Sequence, residues 1–302
     1  MNRVAFLGPH GTFTEQAVGE FGLADVELVP VASPAEALDA VRDGRVRWAV
    51  VAIENSVDGA VTSTTDALIE SPGIQIYGET ELEISFAIMT RPGASLEDAA
   101  TFATHPVGYQ QVKKWMAANV PGAEYKAAAS NAAAAELVAH GEVDVAAAPR
   151  RAAELFGLEV HADRVADITA ARTRFVLAGR TGAPPARTGN DRTFVVFQLP
   201  NEPGTLVGAL QEFAYRGVDL SRIESRPTRA ERNTYNFFVD LVGHIDDIPV
   251  YEALRSLYLR ASQITFLGSW PRAKGSGAAR TRDNAARLRA AQEWVDSARE
   301  GA

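Results

Sequence analysis

Over the first 180 residues, short apolar runs alternate with stretches of helical periodicity, and this alternation constrains the fold more than any other feature. Strand candidates fall at 4–7, 27–31, 48–53, 74–77, 85–89, 100–104, 123–127, 143–147 and 175–178. Helix candidates lie between them at 13–21, 34–42, 62–69, 107–118, 131–139 and 150–156. Strands separated by helices require crossover connections, so the pattern predicts an α/β domain. So many strands crowd a single sheet in 180 residues; two lobes with a cleft between them fit better. The chain is expected to cross between lobes near 77–83 and again near 166–173.

The pattern stops at a stretch rich in Pro, Gly and polar residues, 181–191, which reads as a linker. Beyond it, residues 192–271 follow the order βαββαβ, the ferredoxin-like arrangement. Leu206, Ala209, Leu210 and Phe213 mark one face of its first helix, and Val250, Leu254 and Leu257 mark its second. Such a sheet has exposed edges, so side-by-side pairing of two copies is a natural way to bury them. Residues 272–302 open with Gly and Ala and then become helical, with Leu288, Ala291, Val295 and Ala298 along one side.

The 302-residue chain has no cysteine, which removes disulfides, thiolate nucleophiles and iron–sulfur clusters from consideration. Five histidines without i, i+4 spacing give no helical metal pair. The net charge is -8, and because the tail carries seven Lys/Arg and four Asp/Glu, the rest of the chain is more acidic still. An acidic body argues against nucleic acid as a partner. An anionic substrate would have to be held by local donors such as helix N-termini and single arginines. No run of 18 apolar residues offers a membrane span, and the N-terminus runs straight into a strand, so a cytoplasmic protein is expected.

Five polar motifs sit where strands end or begin. Gly8-Pro9-His10-Gly11-Thr12-Phe13-Thr14-Glu15 follows the first strand, and Thr12 and Glu15 have capping-box spacing. It fits a well-capped junction and a glycine-lined helix start approaching an anion equally well. Ile53-Glu54-Asn55-Ser56-Val57-Asp58-Gly59 follows the most apolar strand, at the end where α/β sheets bind ligands, although the same residues are common turn formers. Thr104-His105-Pro106, with Gln110 and Gln111 one turn on, is again a strand end opening a helix; His105 alone reads more readily as a turn residue than as a base. Arg172-Thr173-Arg174-Phe175 is by itself an ordinary strand start. In the last 120 residues, Pro203-Gly204-Thr205-Leu206 opens a helix, and Glu224-Ser225-Arg226-Pro227 ends a strand with groups able to hold the charged ends of an amino acid.

Their colinear order over about residues 3–271 resembles prephenate dehydratase, and the resemblance implies more than the motifs do singly. The first 180 residues resemble that family's catalytic domain, which has a two-lobed fold like the type 2 periplasmic binding proteins. Residues 192–271 resemble an ACT regulatory domain, and the whole is similar to the monofunctional form. The resemblance implies decarboxylating dehydration of prephenate to phenylpyruvate, a lyase reaction in phenylalanine biosynthesis, without a cofactor or metal because aromatisation drives it.

It further implies catalytic roles for Thr173, Asn55, Glu54 and Gln111, with Thr173 hydrogen-bonding the departing hydroxyl. Substrate contacts are implied for Thr12, Ser56 and Thr104, and either Arg174 or Arg172 is a candidate to hold a substrate carboxylate. Gly204, Leu206, Glu224, Ser225, Arg226 and Pro227 match the family's motifs for the effector L-phenylalanine. Pairing through ACT domains implies a homo-oligomer, a dimer or tetramer. Ala52, Ala170 and the pair Ala128 and Ala129 depart from the family's usual Pro, Asn and Glu. Two alternatives remain: the same chemistry on arogenate, or a two-lobed amino-acid sensor without turnover.

Overall fold

A computed structural model of the chain describes residues 2–57, 59–168, 170–228, 234–273 and 282–300, the last from backbone alone over 282–287. It divides into two compact units, residues 1–72 with 80–180, and residues 73–79 with 181–302.

The first unit begins with β1 (Asn2–Leu7), α1 (Phe13–Glu20), β2 (Val26–Val31), α2 (Pro34–Arg42), β3 (Trp48–Asn55), the two-residue β4 (Gly59–Ala60), α3 (Thr62–Glu70) and the last residues of β5 (Ile74–Glu83), whose start belongs to the second unit. The helix starts follow from capping chemistry: Thr12 and Ser33 accept the N–H groups of Glu15 and Glu36, and Pro34 occupies the first position of α2. A second lobe follows, with β6 (Phe86–Thr90), β7 (Thr101–Thr104), α4 (Pro106–Asn119), β8 (Glu124–Ala127), α5 (Asn131–His140), β9 (Val145–Ala148), α6 (Arg150–Phe156) and β10 (Glu159–Val165). The chain then returns to the first sheet as β11 (Arg172–Arg180).

The first sheet has the order β2-β1-β3-β11-β5, with β4 beside β3; β1 runs parallel to β2 and β3, and β11 runs antiparallel to β3. The second has the order β10-β6-β9-β7-β8, with β7 parallel to β8 and β9. One apolar core runs through both lobes, from Val4 and Phe6 to Phe86 and Phe102, and the rings of Phe13 and Phe86 meet edge to face at 5.6 Å.

Three details differ from the pattern in the sequence. Residues 77–83, expected at a crossing, are the second half of β5, and the chain changes sheets at Ile84 and Ser85. Their alternation of Glu with Thr and Leu looks like a loop, but it is a strand with one polar side. β10 was not anticipated because Glu159, His161, Asp163 and Arg164 make it a charged edge strand, the composition that blunts sheet edges. β4 is too short to leave a periodic signal. The return crossing occupies residues 166–171; Thr169 within it, and Asp58 of the second motif, lie outside the described residues.

The second unit holds β12 (Asp191–Gln198), α7 (Thr205–Ala214), β13 (Leu220–Pro227), β14 (Tyr235–Val242), α8 (Ile248–Tyr258), β15 (Gln263–Pro271) and α9 (Arg282–Glu300). The antiparallel sheet order β13-β14-β12-β15 is that of the ferredoxin-like fold. Alternate residues of the central strands, Val195, Phe197, Val239 and Leu241, pack against Ala209 and Phe213 of α7 and Val250, Ala253 and Leu257 of α8. The helix expected within the tail 272–302 is seen from Arg282; residues 274–281 lie outside the described residues. Trp294 and Val295 of α9 are exposed.

Candidate active site

The segments that follow β1, β7 and β8 line one cavity, at the strand ends where α/β sheets present ligand sites. β1 ends at Leu7 and passes into Gly8-Pro9, joined by a cis peptide, and then Gly11. Gly11 has φ +85, and a Cβ there would lie 3.3 Å from the Ala152 backbone of the second lobe, so both conformation and close approach favour glycine. Thr12 caps α1, and the Glu15 carboxylate accepts the N–H of Gly11, one residue before the cap, at 2.7 Å. Across the lobes, Arg151 approaches the same Glu15 carboxylate at 3.6 Å.

Next to this loop lie the ends of β3 and β11. The register places Thr173 opposite Asn55 and Arg174 opposite Glu54. The turn after β3 is tied to β11 from both sides: Ser56 N–H donates to the Arg172 carbonyl at 2.8 Å, and Arg172 N–H donates to Ser56 Oγ at 2.9 Å. Asn55 Oδ1 accepts the Val57 N–H at 2.8 Å, an Asx turn that fixes the asparagine side chain. Arg174 was, with Arg172, a candidate for a substrate carboxylate. It is only 4% exposed and donates through Nε and Nη2 to Glu54 at 3.0 and 2.8 Å. A guanidinium this deeply buried requires a counter-charge, and Glu54 supplies it. Arg172 is exposed and approaches Glu81 at 3.7 Å.

The second lobe contributes three strand ends and the helices that follow them. Thr104 Oγ1, fully buried, lies 2.9 Å from Asn131 Oδ1 and 2.8 Å from the Ala147 carbonyl, and can donate to either. The His105 N–H donates to the same Asn131 oxygen at 3.1 Å. Asn131 Oδ1 therefore gathers the ends of β7 and the starts of α4 and α5. Gly108 packs directly on this group; a Cβ there would lie 2.6 Å from Asn131 Oδ1 and 2.9 Å from Thr104 Oγ1. Gln111, one helical turn on and on the same buried face of α4, is 1% exposed, and its Oε1 has no hydrogen-bond partner among the described residues.

A cavity of about 190 Å³ is lined by Leu7, Gly8, Thr12 and Phe13 on one side and by His105, Ala129, Ser130 and Asn131 on the other. The N-termini of α1, α4 and α5 meet there, each bringing positive backbone dipole to one space. Burial lowers the His105 pKa, so the imidazole is neutral near pH 7. Its Nδ1 accepts the Val107 N–H at 3.3 Å, which puts the ring proton on Nε2.

Of the residues expected at the site, Thr12 lines this cavity and Thr104 adjoins it through Asn131. Glu54, Asn55, Ser56, Thr173 and Arg174 form a separate group at the ends of β3 and β11 and do not line it. Asn131, Ser130 and His105 were missed or read as turn residues. The available signal was the Ser-Asn pair at a helix start after a strand, which resembles any good N-cap. Among the described residues, no cluster of three or more His, Asp or Glu could hold a metal ion, and no helix is long and apolar enough to cross a membrane.

In the second unit, a cavity of about 190 Å³ is lined by Leu199, Asn201, Gly204, Leu206, Tyr235 and Phe237 among others. Gly204 precedes α7 at φ +87, a left-handed conformation suited to glycine, and no side chain caps this helix. β14 joins the two expected effector motifs: Tyr235 and Phe237 line the cavity and pair in register with Pro227 and Ser225 of β13. Glu224 accepts from Arg226, whose guanidinium lies 5.0 Å from the Phe238 ring centroid. Behind the strand, Arg222 and Arg192 both reach Asp240, and Arg192 also pairs with Glu79 at 2.8 Å.

Comparison with known sequences decides the family. Residues 4–183 match the prephenate dehydratase family model, and residues 193–257 match the ACT domain model. A prephenate dehydratase of Corynebacterium glutamicum is 57% identical over 99% of this chain and 96% of its own. The chain belongs to the prephenate dehydratase family. Its fold agrees: a prephenate dehydratase from Arthrobacter aurescens, crystallised with L-Phe, superposes with a TM-score of 0.90 at 40% identity, covering 99% of each chain. GqqA, described as a novel type of quorum-quenching acylase, superposes with a TM-score of 0.83 at 32% identity over 90% of this chain and 99% of that one. A fold alone does not assign chemistry, and the sequence matches place this chain among the prephenate dehydratases.

Proposed function

We propose that this prephenate dehydratase-family lyase converts prephenate to phenylpyruvate in the cleft of its first unit, under control of phenylalanine bound to its ACT domain. The observation that carries the reading is the register pairing of Thr173 with Asn55, which sets a hydroxyl and an amide opposite each other at the start of β11 and the end of β3.

In the reaction the bond from the ring carbon to its carboxylate breaks, CO2 leaves, and the electron pair completes the aromatic ring. The ring C–O bond breaks in concert, and hydroxide departs as water after taking up a proton. Aromatisation supplies the driving force, so the protein has two tasks: to hold a dianion and to stabilise the leaving oxygen. Donors aimed at developing charge perform the second task, and removing one typically costs about 10²–10³ in rate. Thr173 takes this role, with Asn55 beside it; Gln111, whose buried oxygen lacks a partner, accepts from the substrate hydroxyl before it leaves.

For the carboxylates, the converging N-termini of α1, α4 and α5 are the donors, with Thr12 and the Nδ2 group of Asn131. The arginines are engaged elsewhere, Arg174 with Glu54 and Arg172 near Glu81. Glu54 and Ser56 then hold the β3–β11 junction, and Thr104 orients Asn131.

In the second unit, the uncapped start of α7 at Gly204 and Leu206 receives the phenylalanine carboxylate, and Glu224, Ser225, Arg226 and Pro227 form the adjoining strand end. Pairing of ACT domains makes the protein a homo-oligomer.

The test mixes purified protein with prephenate and follows phenylpyruvate, with arogenate as a parallel substrate and phenylalanine titrated into both. Turnover of prephenate that phenylalanine lowers is expected. Preference for arogenate would change the substrate, and no turnover of either would leave a binding protein. Unchanged inhibition in both Ser225→Ala and Arg226→Ala would remove the effector assignment.

A further inference from the structure

The return crossing between the lobes is fastened to the middle of α4 by one residue, Asp167. Its N–H donates to the Gln111 carbonyl at 2.6 Å, while its carboxylate accepts the N–H groups of Lys114 at 2.5 Å and Trp115 at 3.2 Å. In a regular α-helix the Trp115 N–H is the partner of the Gln111 carbonyl. Asp167 thus engages both ends of that helical link. Side chains that enter a helix ladder in this way redirect it locally, and here the residue at the point of entry is Gln111.

The arrangement joins three pieces of the site. Gln111 lies on the α4 face that packs, through Gly108, on Thr104 and Asn131. Asp167 belongs to the segment 166–171, which leads directly into Thr173. The segment's end is held as well, since Ile84 of the first crossing donates to the Ala171 carbonyl at 2.7 Å. Asp167 is therefore held on Gln111, and Ala171, two residues before Thr173, on Ile84.

We infer that Asp167 is a positioning residue for the dehydration: through α4 it sets where the Gln111 amide stands relative to Thr173, without touching substrate itself. This rests on the reading of Gln111 as part of the site. The charged carboxylate suits the role, because hydrogen bonds to an ionised acceptor are shorter and stronger than neutral ones. A misplacement of about 1 Å in such a constellation can cost about 10² in rate.

The experiment is a double-mutant cycle on the full chain with prephenate as substrate. Asp167→Ala is expected to lower kcat by about 10–100-fold with little change in KM. Asp167→Asn, which keeps one oxygen acceptor, is expected to lose less. In the Gln111→Ala background, Asp167→Ala is expected to have almost no further effect, because the group it positions is gone. Should Asp167→Ala fail to fold, Asp167→Asn carries the same cycle.

Equal losses in both backgrounds would mean a general structural role and overturn the inference. So would wild-type kcat in both Asp167 variants, or an effect confined to KM. Wild-type kcat in Gln111→Ala alone would overturn the reading of Gln111 and the inference with it, whereas impaired Gln111→Ala with additive loss from Asp167→Ala overturns the positioning role only.

Discussion

Replacing Arg192 with Met puts the energetics of the second unit to a direct test. Arg192 lies between two carboxylates with fully buried side chains: Nε stands 2.8 Å from Glu79 and Nη1 stands 3.1 Å from Asp240. Nη1 also donates to Ser221 Oγ at 2.8 Å. Met fills much the same volume but leaves both acids without this cation. Removing one partner of a buried ion pair costs about 3–5 kcal/mol, because the remaining charge stays desolvated. The loss here is partial. Asp240 keeps Arg222 at 3.2 and 3.3 Å, and Glu79 keeps the Trp270 indole N–H at 3.1 Å and the Ala273 N–H at 3.0 Å. The lower end, about 3 kcal/mol, is therefore expected. For a domain of this size that is a fall of roughly 12–24 °C in melting temperature. Calorimetry on the full chain would show the transition of the second unit moving by this amount. Adding Glu79→Gln to Arg192→Met should recover part of the loss, since a buried amide costs less than an unpaired carboxylate. A shift below about 2 °C, or a double variant less stable than the single one, would refute the reasoning.

Thr173→Ala should keep the melting temperature and lower kcat for prephenate by about 10²–10³; steady-state kinetics on the folded variant near the wild-type kcat would remove Thr173 from the mechanism. Gly108→Ala sets a helix-propensity gain of about 1 kcal/mol against overpacking of about 1–3 kcal/mol on Asn131 and Thr104. A lower melting temperature and a raised prephenate KM are expected, and a more stable variant with unchanged KM would mean the Thr104–Asn131 group tolerates displacement. Asp144 accepts from the Thr101 hydroxyl and from the N–H groups of Ala100 and Thr101, and the hydroxyl bond leads in lowering its pKa. Its stabilising contribution is thus present above about pH 4 and is lost as pH falls through the lowered folded value. Melting curves of Asp144→Asn against wild type should differ most near neutrality and converge in acid; a constant difference would contradict the linkage.

The alternation of apolar strands with periodic helices was enough to specify the α/β class, because burial of one helix face and of whole parallel strands imposes those periods directly. The boundaries of α2 and α6 and the βαββαβ order of the last unit were legible for the same reason. Strand β10 was not, because Glu159, His161, Asp163 and Arg164 on a sheet edge carry no apolar signal. Single motifs marked Thr12, Asn55 and Thr104 as polar residues at strand ends, but their chemistry emerged only from their colinear order.

What the sequence determined by itself was local: where strands end, which residues cap helices, and which family the order of motifs resembles. Tertiary structure alone decided partnership. It committed Arg174 to Glu54, because a guanidinium carried inside by β11 requires the carboxylate that β3 brings opposite it, across 120 residues of chain. It made Asn131 the link between Thr104 and His105, and fastened Asp167 to Gln111. Each pairing joins segments whose separation along the chain says nothing of their distance in space, and that distance is set by how the two sheets of the first unit fold around a common core.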